Sequence, residues 1–225
     1  MYSNKSTGKI TGVLFLIAMV ASLLGGSLLE SVLSTPDYLA NITANKITLM
    51  TGMVLELVNG IAVVGIAVMM FPILKRFNES LTFGYLGFRI LESVFCIACA
   101  VIPLSILTLS REYLRTDSAG ASYLKTIGTL LLSARADAAG LLIPIFFSLG
   151  ALLFYYLLYG SELIPRFISV WGFIGALLIF ILSFLDTGVI INIIFVLPII
   201  LNEIFLGIWL ILKGFNPSAT ILGSS

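Results

Sequence analysis

An all-α integral membrane bundle of six transmembrane helices is predicted by three features of the chain. Its 225 residues are 60% hydrophobic and 10% charged, with a mean hydropathy of +1.15, whereas soluble domains run at roughly 45–50% apolar and about 25% charged. Hydropathy divides it into six apolar stretches near or above the roughly 20 residues that cross a bilayer core. These stretches run on without the dyad alternation of membrane strands, and only helices or closed barrels satisfy their backbone in lipid. The whole chain, 1–225, reads as one transmembrane domain.

The first stretch, 10–33, follows Lys5 and Lys9 as a signal peptide would. Its apolar run is long and lacks a small-residue cleavage site, so it reads as a permanent helix. The second, 48–74, carries Glu56 and Asn59, and the third, 81–109, carries Arg89, Glu92, Cys96, Cys99 and Pro103. The longest break lies before the fourth stretch. There Tyr123, Ile127, Leu130 and Leu131 recur at helical spacing. This predicts a short amphipathic helix lying on the membrane or packing against the bundle, with an N-terminal extension of the fourth helix as the alternative. The fourth stretch is 138–159, with Pro144; the fifth is 167–185; the sixth, 189–212, contains Asn192, Pro198, Asn202 and Glu203. Proline inside a helix removes a hydrogen bond and bends the chain, and membrane helices tolerate this in ordinary packing.

Lys5, Lys9, Lys75, Arg76, Arg166 and Lys213 fall on one side of this arrangement, and Lys46, Arg111, Arg115, Lys125 and Arg135 on the other. Discounting the long loop, the excess predicts both termini on the cytoplasmic face of the cell membrane. Trp171, Trp209, Tyr155, Tyr156 and Tyr159 lie towards the same ends of their helices, as an interfacial belt does. Small residues such as Gly84, Gly87, Gly172 and Gly175 permit close helix contacts, within a bundle or between protomers.

Composition also narrows the chemistry. The chain has no histidine, so the commonest general base and zinc ligand are missing, and neither a metal nor a cofactor is expected. Cys96 and Cys99 sit within one apolar helix without a soluble redox-module pattern and read as small packing residues. With a net charge of +1 and no basic block, no nucleic-acid partner is expected. The expected partners are the lipid bilayer and a small solute or cation.

Four charges fall inside the apolar stretches. At about 1.5 Å per residue, Arg89 lies roughly 12 Å and Glu92 roughly 16 Å from the cytoplasmic end of the third, and Glu203 roughly 13 Å from that of the sixth. Glu56, counted from the other end of its helix, lies at roughly 18 Å. Asn59 and Asn202 stand beside the acids. A central charge costs about 2.5–3.5 kcal/mol in insertion, so Glu56, Asn59, Arg89, Glu92, Asn202 and Glu203 are expected to face inward as a polar cluster. Glu203 is the foremost expected partner of Arg89, with Glu56 and Glu92 as alternatives. One arginine against three acids leaves two formal negative charges for protons, a cation or water to offset. Glu30, Arg135 and Asp137 read as solvated or locally paired groups at the interface.

The segments "GYLGFRILES", "FFSLGALLFYYLL", "ELIPRFISVWGFIGALL" and "NEIFLGIWLILKGF" resemble those of the prokaryotic multi-pass membrane proteins catalogued as domain of unknown function 4386. The family pattern places basic residues around Gly160 and Glu162 and a tryptophan at Phe167, where this chain departs from it. The resemblance implies an integral membrane protein of this length and brings no reaction, substrate or cofactor. Three functions remain in competition. The first is transport, or binding of a small ligand or cation, at the polar cluster. A non-catalytic accessory or structural protein with a buried ionic lock is the second. The third is an intramembrane enzyme using paired carboxylates on a lipid-like substrate, for which a lateral opening from lipid would count.

Overall fold

The computed structural model describes residues 4–185 and 188–216, and all regular secondary structure among them is helical. The elements are α1 (Asn4–Leu33), α2 (Tyr38–Asn41), α3 (Lys46–Leu74), α4 (Glu79–Tyr113), α5 (Ser118–Asp137), a π turn (Ala138–Leu142), α6 (Ile143–Ser161), α7 (Arg166–Leu182) and α8 (Val189–Leu212). Among the described residues five runs are long and apolar enough to cross a membrane: Lys5–Leu33, Lys46–Leu74, Glu79–Tyr113, Gly120–Ser161 and Ile190–Leu212. The fifth expected span is shorter, because α7 ends at Leu182 after 17 residues.

Local chemistry sets the boundaries. Asn78 caps α4 by accepting from the Leu81 amide at 3.0 Å, and Asp117 caps α5 by accepting from Gly120 at 3.0 Å. Glu162 adopts a left-handed conformation (φ 54°) that stops α6, and Pro165, unable to extend a helix backwards, sets the start of α7.

The segment before the fourth expected span is not a separate surface helix. Ser118 to Ser161 is one continuous helical run, which corrects the first expectation in favour of its alternative. The amide of Ile143 donates to the Ala138 carbonyl, five residues back, instead of four. Pro144 has no N–H for the Gly140 carbonyl, and the widened turn accommodates that loss. The expected inner face also rotates. Tyr123 and Leu130 point outward, while Leu131 packs against a distal core and Gly128 lies under the Tyr38 ring.

The long helices form a closed ring in sequence order. α1 packs on α3, α3 on α4, α4 on α6, α6 on α7, α7 on α8, and α8 returns to α1. Connections such as 75–78 and 162–165 leave antiparallel neighbours as the only arrangement. Small residues let the backbones approach: a Cβ on Gly12 of α1 would stand 2.5 Å from the Gly207 carbonyl of α8. The ring of Tyr155 fills the notch at Gly172, so this tyrosine is a buried core residue and not part of an interfacial belt; Tyr156 and Tyr159 are exposed.

Two apolar cores result. The larger, around Ile66, Met70, Phe154, Leu158 and Leu206, occupies the half of the bundle that carries the termini. The smaller, around Leu29, Ile42, Leu49 and Ile106, lies at the distal end beneath α2. The ionisable side chains Glu56, Arg89, Glu92 and Glu203 inside the bundle belong to neither.

Candidate functional site

Within the ring lies a cavity of about 570 Å³, inside the ~300–1,000 Å³ range of small-molecule sites. Six helices contribute to its wall: Phe15 from α1, Asn59 from α3, Arg89 from α4, Phe147 from α6, Ile179 from α7 and Glu203 from α8. Gly140, in the π turn, also lines it, and a Cβ there would meet nothing within 4 Å. Most of the wall is apolar; the charges gather on the α4 and α8 sides.

Arg89 pairs with Glu92, not with Glu203. Its Nη1 donates to Oε2 of Glu92 at 2.8 Å, with the two side chains 3% and 5% exposed. Spacing of three residues on one helix face puts the groups side by side without help from another element. The guanidinium also stands 5.2 Å from the centre of the Phe147 ring and 5.8 Å from that of Tyr85, a placement that suits the electron-rich ring faces. Arg89 Nε and the Tyr85 hydroxyl have no hydrogen-bond partner among the described residues. Glu203 is partly buried in the same cavity and makes no ion pair or side-chain hydrogen bond among the described residues.

Glu56 is taken up elsewhere. Arg135 Nη2 donates to its Oε1 at 2.8 Å, tying α5 to α3, with side chains 12% and 16% exposed. Arg135 is therefore an internal partner and not an interfacial group. It was read as interfacial because it falls in the longest break between the expected spans, just before the fourth. Its spacing of seven from Gly128 and four from Leu131 on the inner face of α5 was the available signal. This pairing removes one of the two surplus negative charges. Arg89 and Arg135 now stand against Glu56, Glu92 and Glu203, and the surplus carboxylate is in the cavity.

The remaining predicted residues divide similarly. Asn59 lines the cavity and donates to Cys96 Sγ at 3.9 Å. Asn202 is fully buried outside it and donates to the Ile168 carbonyl at 2.9 Å, joining α8 to α7. Cys96 and Cys99 are both free thiols. Among the described residues no group of three or more Cys, Asp or Glu could hold a metal ion. The cavity thus brings together Asn59, Arg89, Glu92 and Glu203, and leaves Glu56 and Asn202 in helix contacts.

A family model described as "Domain of unknown function" matches residues 10–214. No curated protein and no solved structure matches the chain.

Proposed function

Since the chain belongs to the DUF4386 family, whose description carries no activity, we propose from the site alone that this membrane protein binds a small cationic solute in its central cavity. Glu203 is the counter-charge, and transport of the solute is the activity such a site serves. The observation that carries this reading is the surplus carboxylate in a cavity walled by six helices. An ionised carboxylate in a low-dielectric interior needs a proton, a cation or water beside it. A solute bearing a positive charge meets that need, and the Arg89–Glu92 pair contributes no net charge of its own.

The site suits binding better than acid–base hydrolysis. Paired-carboxylate chemistry uses two carboxyl groups free to exchange protons, and Glu92 is committed to Arg89. It also suits binding better than an ionic register lock, because the Arg89–Glu92 ion pair lies within one helix and links α4 to no other helix by charge. In this proposal α7 is the sixth span; at 1.5 Å per residue its 17 residues cover roughly 25 Å, at the short limit for a crossing. The single domain lies in a prokaryotic cell membrane with both termini cytoplasmic.

The test is thermal stability of the purified protein in detergent with matched solutes: tetraethylammonium, its neutral isostere tetraethylmethane, and inorganic anions. Tetraethylammonium at 100-fold above its dissociation constant stabilises by about 2.7 kcal/mol on this reading, and the neutral isostere and the anions do not. Equal stabilisation by the isostere contradicts it.

A further inference from the structure

The two helices that close the ring, α1 and α8, touch over only half their length. Near the termini the contact is tight: Gly8 approaches Gly214 and Phe215, and Gly12 approaches Gly207 and Ile211. Beyond that vertex the exposure of the cavity-lining faces rises along both helices. On α1, Phe15 is 2% exposed and Ala18 8%, while Leu23 is 54% exposed and Ser22 is exposed as well. On α8, Ile199 is buried, Val196 is partly buried and Asn192 is exposed. Distal α1 instead leans on α3, where a Cβ on Gly25 would stand 3.1 Å from the Gly52 carbonyl. The two helices form a V, and the cavity runs into its mouth.

The mouth lies at hydrocarbon depth. Leu23 is eleven residues beyond Gly12, and Val196 is eleven residues distal to Gly207, so both stand roughly 16 Å above the vertex. α1 continues for ten residues past Leu23, which carries it a further ~15 Å towards the distal face. The opening between them therefore faces the side of the bundle. Among the described residues the distal part of α8 has none buried before Ile199, and Pro198 interrupts its hydrogen-bond ladder at that junction. A segment whose described side chains are at most partly buried, joined to the fully packed part of its helix at a proline, is suited to bend.

We infer that the gap between α1 and the distal part of α8 is a lateral portal, through which the cavity takes an amphiphile with a cationic head and an apolar tail directly from the bilayer. This inference rests on the cationic-solute reading of the cavity and names its substrate class and route. The head meets Glu203 at the inner end, while the apolar walls and the lipid-facing mouth receive the tail. A purely aqueous solute has no use for an opening into hydrocarbon.

The experiment uses the full chain in phosphatidylcholine vesicles, in a background with Cys96→Ala and Cys99→Ala. Leu23→Cys and Val196→Cys are introduced and bridged with a flexible bis-maleimide. The readout is the association rate of a dansyl-labelled dodecyltrimethylammonium, delivered from the lipid. The bridge slows association at least tenfold relative to the same protein carrying two monofunctional maleimides. Val196→Trp, which narrows the gap without a cross-link, slows it in the same direction. If the unbridged protein binds the amphiphile but neither change alters the rate, the portal is refuted while the site reading stands. If the unbridged protein binds neither the amphiphile nor tetraethylammonium, the site reading fails and the portal with it.

Discussion

Two ion pairs of the same 2.8 Å length occupy this protein in opposite circumstances. Arg135–Glu56 joins two helices, lies outside the cavity, and retains 12% and 16% exposure. Arg89–Glu92 lies within one helix, is almost wholly buried, and lines the cavity beside a third ionisable group. The first pair gains its value by bracing α5 against α3. The second makes no ion pair between helices; the Arg89 guanidinium reaches α6 through the Phe147 ring at 5.2 Å, and the pair sits beside Glu203 in the cavity wall. The two pairs are told apart by the helices they join and by whether they face the cavity, not by depth along the helix.

The largest effect that would sharpen this comparison is Arg89→Gln. It leaves Glu92 and Glu203 together without a counter-charge and is expected to destabilise by about 3–5 kcal/mol in denaturation or thermal melts. Glu92→Gln is expected to cost clearly less, because Glu203 remains in the same cavity to offset Arg89. Equal losses from the two variants would break the assignment of Glu203 to that cavity.

Next comes the brace. Glu56→Gln is expected to cost about 1.5–3 kcal/mol, the range for losing a hydrogen bond to a charged group, with no change in tetraethylammonium binding. A double-mutant cycle between Glu56 and Arg135 should return a clear coupling, and a coupling near zero would remove the brace.

The smallest effects belong to substitutions away from the buried charges. Arg166→Gln breaks an exposed pair with Glu162, whose side chains are 60% and 54% exposed, and should change stability by at most ~1 kcal/mol. Gly140→Leu places a side chain where a Cβ meets nothing within 4 Å. It is expected to leave the melting temperature within a few degrees of the original while weakening tetraethylammonium binding at least fivefold. Unchanged binding would place the ligand elsewhere.

Much of the fold was legible because hydropathy dominates a membrane chain. The expected stretches 10–33, 48–74 and 189–212 fall within or on α1, α3 and α8; α4 runs a few residues past 81–109 at both ends, 138–159 is the end of the helical run from Ser118, and α7 stops three residues short of 185. The run through Ser118–Ser161 was not settled, because a π turn leaves no hydropathy signal and polar residues on a protruding helix resemble a loop. Depth along a helix was also legible, which singled out Glu56, Arg89, Glu92 and Glu203. Pairing was not. Whether Arg89 meets the acid on its own helix or one on α8 depends on helix rotation and ring order, and Arg135 became visible as a partner only once α5 was packed on α4, which brings it within reach of α3.

The central claim is that Glu203 is the charge that binds a cation and Glu56 is not. Its most direct measurement is the dissociation constant of tetraethylammonium for Glu203→Gln and Glu56→Gln beside the original protein, by calorimetry in one detergent. The account predicts at least a tenfold weakening for Glu203→Gln, about 1.4 kcal/mol, with Glu56→Gln unchanged and Glu203→Gln no less stable than the original. Equal affinity in all three proteins, or a loss confined to Glu56→Gln, would contradict it.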